Sequence, residues 1–218
     1  MKILSPRVLR ALERFNAAYP WDHNAHYHRW ILRQLPKRFD RAVDIGSGSG
    51  DLARLLARRA VAVTAVDADP VITVQAQELT PSSLPVTFTV ADAVAEFPAG
   101  TYDVITCVAT VHHLPFAEAL ACFRNHLAPG GTLVIVGLSR AQTPVDHLLG
   151  VLAIPANAAI GWLKNKGRSS PRPASMTAPT RTADMAFDDV VRETGTLLPG
   201  ARLRRQLFWR YTLVWCQP

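Results

Sequence analysis

The sequence predicts an α/β fold in which a parallel sheet carries helices on both faces. Between residues 42 and 138, short β-branched runs alternate with segments of helical periodicity, the pattern of repeated strand–helix units. One of those runs, VITCVATV, is apolar at nearly every position, as a strand covered on both faces must be. Another leads into VDIGSGSG, residues 43–50, a glycine loop between a strand and a helix.

Each element has a local cause. Ser5-Pro6 starts a helix over 6–18, with Val8, Leu9, Leu12 and Phe15 at helical spacing. A second helix covers 23–35, with Tyr27, Trp30, Ile31 and Leu35 on one face, until Pro36 ends it. The first strand is 42–46. Helix 50–60 turns Leu52, Leu55 and Leu56 inward, and strand 61–67 follows. Asp69-Pro70 opens the next helix, before strands at 86–90 and 102–111. Helix 116–127, an APGG turn and strand 132–138 complete the alternation.

Past residue 140 the rhythm breaks. Residues 141–163 form an apolar lid or interfacial helix, and 164–182 a Gly/Pro/Ser-rich loop. The uncharged run at 148–163 is shorter than the roughly 20 residues a membrane span needs, and Pro155 and Asn157 interrupt it. A helix near 182–194 and strands at 201–208 and 210–216 close the chain. The expected organisation is a single domain, 1–218. It comprises an N-terminal helical cap (1–38), a binding core (39–140), a lid and substrate insertion (141–182), and a closing helix and hairpin (183–218).

Of 218 residues, 49% are hydrophobic and 19% charged, a globular composition rather than a disordered one. Cys107, Cys122 and Cys216 lack CxxC spacing, so neither a disulfide framework nor a zinc ribbon is suggested, and a reducing cytoplasm is expected. Lys2, Arg7, Arg10, Glu13 and Arg14 break up any signal-peptide core. The net charge is +7, but the arginines form no basic block, which favours a solvated surface over a nucleic-acid face.

The glycine loop carries the chemistry. Gly46, Gly48 and Gly50 let the backbone turn sharply and approach a ligand. Asp67, at the end of the second strand, falls beside the loop in a right-handed crossover, placed to accept hydrogen bonds from ribose hydroxyls. Asp92, after the third strand, is a second carboxylate on that rim. The loop reads G-x-G-x-G and then Asp51, which departs from the dinucleotide fingerprint, and no P-loop motif exists. Carboxylates at 44, 51, 67, 69 and 92 would repel a pyrophosphate and suit a cationic sulfonium.

VDIGSGSG, VDAD, the AD at 91–92, YDVITCVATVHHLP and LAPGGTLVIV together resemble the class I S-adenosylmethionine-dependent methyltransferases. The likeness is to the branch that holds ubiquinone- and menaquinone-biosynthesis enzymes and small bacterial natural-product methyltransferases. It covers about residues 40–138, and the strands at 201–216 fit that family's terminal hairpin. The resemblance implies a Rossmann-like, seven-stranded, mostly parallel sheet with an antiparallel last strand. It implies S-adenosyl-L-methionine as cofactor and S-adenosyl-L-homocysteine as product. Asp44, Gly46, Ser47, Gly48 and Gly50 would surround the methionine end. Asp67 would bind the ribose with Ala68 beside the adenine, Asp92 would accept from the adenine amine with Ala93 supplying backbone, and Val108 would floor the methyl group.

Methyl transfer is an in-line displacement that needs a positioned nucleophile and, for an O–H or acidic C–H, a base. His112 and His113 are the candidate catalytic residues, placed at the end of the fourth strand; either imidazole titrates in the useful range. His23, His26 and His28 have HxxH spacing but lack carboxylate or cysteine partners, so no metal is expected. Tyr19, Trp21, His23 and Tyr27 are candidates for the substrate pocket. The uncharged segment between His147 and Lys164 favours an apolar or aromatic small-molecule acceptor, methylated at oxygen or carbon. The expected protein is a monomer or homodimer without a membrane span or nucleic-acid partner. Two rival readings stay open, an RNA methyltransferase and an NAD-type nucleotide-binding oxidoreductase.

Overall fold

A computed structural model describes residues 5–176 and 181–218. Residues 1–4 of the expected cap and 177–180 of the expected lid lie outside them. Seven strands form one sheet: β1 (Phe39–Ile45), β2 (Ala60–Asp67), β3 (Val86–Val90), β4 (Tyr102–Val108), β5 (Leu127–Leu138), β6 (Arg202–Gln206) and β7 (Arg210–Cys216). Their order is β3-β2-β1-β4-β5-β7-β6. The first five strands are parallel, and β7 runs antiparallel to both β5 and β6. The order reverses between β1 and β4, which opens a crevice at their carboxyl ends, where ligands of open α/β sheets bind.

Among the described residues the α-helices are α1 (Pro6–Ala18), α2 (His23–Gln34), α3 (Asp51–Leu56), α4 (Pro70–Glu78), α5 (Phe116–His126), α6 (Pro144–Lys164) and α7 (Phe187–Leu197). Alternation along the strands assigns each side chain to a face. Ala42, Val104, Val134 and Val214 pack with Ile31 of α2 and Leu52 and Leu56 of α3. Val43, Ile105, Ile135 and Leu213 pack with Leu120 and Phe123 of α5 and Val190 of α7. Both faces of the central strands are therefore dry, as their apolar sequence requires.

Several boundaries differ from the sequence expectation. The fourth strand stops at Val108 rather than running to 111. Ala109 there turns left-handed (φ 52°), and Val111–His113 form a 3₁₀ turn. His112 and His113 thus sit on a turn over the sheet edge and not on the strand itself. β5 absorbs the expected APGG turn, with Gly130 at φ 74° beside the register shift between Tyr102 and Val104. α3 ends at Leu56, well before residue 60.

The largest difference is α6, a continuous 21-residue helix that passes through both Pro155 and Asn157. By length and composition it is long and apolar enough to cross a membrane, contrary to the expectation from its uncharged run. Leu148, Leu152, Trp162 and Leu163 stand exposed on its outer side. Its inner side is anchored by Asn157, which is buried. The Trp21 Nε1 donates to Asn157 Oδ1 at 2.8 Å, His23 Nε2 meets the same oxygen at 2.7 Å, and Asn157 Nδ2 donates to Asn16 at 3.1 Å. A proline in the helix is tolerated because this docking, rather than one backbone hydrogen bond, holds the segment.

The closing hairpin bends at Phe208 and Trp209, both non-glycine residues in the left-handed region (φ 63° and 59°). Phe208 is 2% exposed and packs edge-on against Trp21 with ring centroids 5.0 Å apart, so burial of a large ring offsets the backbone strain.

Replacing Asn157 with leucine removes the side-chain oxygen shared by Trp21 and His23 from a dry position and leaves Trp21 only the backbone carbonyl at 3.1 Å. We expect a loss of about 2 kcal/mol in urea denaturation, with the far-ultraviolet circular dichroism unchanged.

Candidate active site at the carboxyl edge of the sheet

The glycine loop leaves β1 with three successive left-handed turns, at Gly46, Gly48 and Gly50 (φ 68°, 50° and 76°). A Cβ on Gly46 would fall 1.8 Å from Thr110 Oγ1, so only glycine lets the loop interlock with the turn after β4. A Cβ on Gly50 would strike the Phe88 ring at 2.8 Å. Gly50 therefore packs α3 against β3 and does not line the cavity, a correction to its expected place around the cofactor.

Above the loop lies a cavity of about 500 Å³. Six carboxylates line it (Asp22, Asp44, Asp51, Asp67, Asp69 and Asp92), and among the described residues no lysine or arginine does. Asp67 accepts from the Gly48 amide on one oxygen (2.8 Å) and from the Asp69 amide on the other (3.0 Å), so it ties loop to strand with its remaining lone pairs free. Asp92 is exposed. Its Oδ1 accepts from the amides of Val94 and Ala95, both at 2.8 Å, and those bonds hold its carboxyl below the usual carboxylate range. Asp92 is thus a turn cap and a cavity group together.

Asp44 differs from the rest. It is 2% exposed, and the Thr106 hydroxyl donates to it at 2.7 Å. Burial pushes its carboxyl up to about 7, against the Thr106 bond and with help from the Asp67 charge. Nearby, the Ser47 hydroxyl is buried without a partner. Nothing stands within 4 Å of where a Cβ on Gly48 would be, leaving open space over the loop. A dry carboxylate, an unsatisfied hydroxyl and open backbone suit a ligand that brings a cation and several polar groups. A cationic amino-acid nucleoside meets that description; a pyrophosphate does not.

A second cavity of about 310 Å³ adjoins the first, and the two share Asp22, Asn24, Ala109, His113 and Ser175. Its character is opposite. Arg172, Arg181, Arg210, His23, His112 and His113 line it, against the single carboxylate of Asp22. The rings of His112 and His113 are 4.2 Å apart. Burial first, then the neighbouring His113 and the two arginines 210 and 181, push the His112 imidazole down to about 4. Its Nδ1 is buried with no partner. Burial and Arg181 also lower His113. Both rings are therefore neutral at physiological pH.

Ala68, Ala93 and Val108 line the larger cavity, as do Asp44, Gly46, Ser47, Gly48, Asp67 and Asp92. Of the expected substrate residues only His23 reaches a cavity. Tyr19 stacks on Phe15 (4.7 Å), Trp21 is buried under α6, and the Tyr27 hydroxyl donates to the Leu207 carbonyl at 2.9 Å. These three fasten the N-terminal segment instead of facing an acceptor. Asp22 and Arg210 were missed. Asp22 caps α2, which disguises it as a local device, and Arg210 opens a strand whose alternation looked structural. Among the described residues no three His, Cys, Asp or Glu side chains gather to hold a metal.

A singly reversed strand at one side of the sheet, with a carboxylate-lined cavity at its switch point, defines the Rossmann-like methyltransferase class. Residues 43–135 match the family model described as Methyltransferase domain. An uncharacterized methyltransferase of Mycobacterium tuberculosis is 30% identical over 205 residues, or 91% of this chain and 98% of the relative. A ubiquinone biosynthesis O-methyltransferase of Xanthomonas campestris is 34% identical over 161 residues, or 69% of this chain and 64% of the relative. The fold matches the N-methyltransferase NodS from Bradyrhizobium japonicum in complex with S-adenosyl-L-homocysteine, with a TM-score of 0.59, 17% identity, and 96% and 97% of the two chains covered. It also matches the magnesium protoporphyrin IX methyltransferase from Synechocystis with bound S-adenosylhomocysteine (TM-score 0.56, 14% identity, 98% and 95% covered). The chain belongs to the class I S-adenosylmethionine-dependent methyltransferases, enzymes whose cofactor is S-adenosyl-L-methionine.

Two predictions come from this geometry. The Gly46→Ala change meets both a left-handed backbone and the Thr110 side chain. It should cost about 2–4 kcal/mol in thermal or chemical denaturation and weaken S-adenosylhomocysteine binding at least tenfold. The second concerns Asp44, whose raised value means it carries a proton in the free protein below about pH 7. A cofactor ammonium paired with Asp44 would need the carboxylate, and on that expectation affinity should rise by up to about tenfold per pH unit from pH 5.5 to about 7 and then level off. Calorimetry in buffers of different ionisation enthalpy should show a proton released below pH 7. Asp44→Asn should abolish both the release and the slope and weaken binding roughly ten- to a hundredfold.

Proposed function

We propose that the enzyme methylates an oxygen or carbon of a small organic molecule with an apolar or aromatic body, held in the 310 Å³ cavity. The observation that carries this reading is the junction of the two cavities at Ala109 and His113. Because the two spaces share these lining residues, a molecule in the smaller would lie beside one in the larger. Ala109, Leu138 and Met176 supply apolar wall there. The Xanthomonas relative is named an O-methyltransferase, which supports oxygen as the acceptor atom.

The cofactor supplies an electrophilic methyl on a positively charged sulfur. This chain's residues bind, orient and deprotonate. On our reading Asp44, Ser47 and the amides of the glycine loop take the amino-acid end. Asp67 takes the ribose hydroxyls and Asp92, through its free oxygen, the adenine amine. His113 stands at the junction and acts as proton acceptor when the nucleophile is protonated. His112 faces only the smaller cavity and is too weak a base near 4; it shapes the wall. Three free thiols suit the cytoplasm.

Incubation with S-adenosyl-[methyl-¹³C]methionine and fractionated cell extract should place label in a small molecule seen by mass spectrometry; label found only in RNA would reverse the assignment. With that acceptor in hand, His113→Ala should lower kcat at least tenfold while S-adenosylhomocysteine affinity stays within twofold, and His112→Ala should act mainly on acceptor KM. Turnover unchanged in the His113 variant would remove its role as base.

A further inference from the structure

The smaller cavity has a feature that an uncharged acceptor does not explain. Arg210, at the start of β7, is largely buried, and every group it bonds is neutral. Its Nε and Nη2 donate to Asn24 Oδ1 (3.3 and 2.8 Å), and its Nη1 donates to the Phe208 carbonyl (2.9 Å). No carboxylate lies within 4 Å of it among the described residues. Elsewhere Arg54, Arg192 and Arg205 each pair with an aspartate at 2.6–2.9 Å. A guanidinium has five N–H donors, and three bonds leave two of them to be satisfied. Asp22, on the same cavity wall, acts on this cation only from beyond ion-pair distance, so a ligand anion bonded directly to the guanidinium recovers part of the cost of withdrawing it from water.

The surroundings agree. Arg172 and Arg181 reach the same cavity from the segment that follows α6, Arg181 while also paired with Asp184 at 3.2 Å, and His112 lines it as well. Meanwhile the carboxylates of the cofactor cavity would repel an anion, which confines it to the basic side. The planar, two-donor face of an arginine matches a carboxylate in shape as well as in charge. A cavity of about 310 Å³ is at the small end for organic ligands, which suits a compact acid.

We propose that the methyl acceptor bears a carboxylate, received by Arg210 at the wall of the smaller cavity. The proposal rests on the methyltransferase reading above and deepens it by naming the acceptor's charged group. Hydrophobic wall contacts then orient the rest of the molecule toward the junction at His113.

The test uses the full-length protein saturated with S-adenosylhomocysteine. It is titrated with a panel of aromatic and short aliphatic monocarboxylates, benzoate and hexanoate among them, each beside its primary amide. Members of the carboxylate series should bind, and their amides at least tenfold more weakly. Arg210→Gln should weaken the carboxylates at least tenfold with S-adenosylhomocysteine affinity within twofold, and Arg210→Lys should restore part of the loss. Should Arg210→Gln fold poorly, the exposed double variant Arg172→Gln/Arg181→Gln should still weaken the carboxylates about threefold or more. Amides that bind as well as acids, acids that do not bind at all, or variants that leave acid binding intact would each overturn the proposal. Loss of S-adenosylhomocysteine binding by the unaltered protein would instead sink the cofactor reading on which it stands.

Discussion

At the end of β1 the Asp44 carboxylate is shut away from water, with one hydroxyl, that of Thr106, donating to it. A buried acid in that state either keeps its proton or waits for a cation, and its displaced titration expresses that choice. Its position follows from the sheet. Because β1 lies between β2 and β4 at the point where strand order reverses, its carboxyl end is the deepest part of the crevice. Across the junction Arg210 is the complementary case, a cation with no carboxylate within ion-pair distance among the described residues. The two groups give the crevice an acidic chamber and a basic chamber that meet at His113. On the proposed reading, a positively charged methyl donor and an electron-rich acceptor are thereby sorted to their own sides before they meet.

Keeping the chambers in contact demands unusual backbone. The loop after β1 and the turn after β4 interlock so closely that Gly46 has no room for a side chain beside Thr110. Ala109 adopts a left-handed conformation to start that turn, while its amide still donates to the Val136 carbonyl at 2.7 Å. Strain of this kind persists only where neighbours over-determine it. Here the neighbours are dry strands on both sides, so the rim can be bent without loosening the core beneath it.

The sequence makes the sheet and the acidic chamber legible because both are encoded locally. Apolar runs of five to eight residues have few alternatives to buried strands, and the glycines with Asp67 and Asp92 follow from spacing along one crossover. Where side chains converge from distant parts of the chain, local reading fails. Nothing near Arg210 announces Asn24, which lies 186 residues away. Trp21 and Tyr27 look like pocket aromatics by composition, yet their polar tips are taken by Asn157 and the Leu207 carbonyl, 136 and 180 residues distant. The end of the fourth strand was misread for a different reason. Val-Ala-Thr-Val has high strand propensity, and the left-handed turn at Ala109 is imposed by tertiary packing.

The apolar character of α6 also changes meaning once its position is known. As a sequence it argued for a greasy acceptor, on the premise that the helix covers the pocket. In the fold no residue of α6 lines either cavity; the residues after α6 that do are Arg172, Ser175, Met176, Arg181 and Arg210. What α6 contributes is the buried Asn157 side chain, which fixes Trp21 and His23, and through them the start of α2 where Asp22 and Asn24 project into the shared wall. Asn24 in turn bonds Arg210. The helix therefore acts on the smaller cavity through hydrogen bonds, directly on His23 of its wall and indirectly on the start of α2, while the arginines that give the cavity its charge lie off the helix. Hydrophobicity along α6 is evidence about its own docking, and the acceptor must be inferred from the arginines.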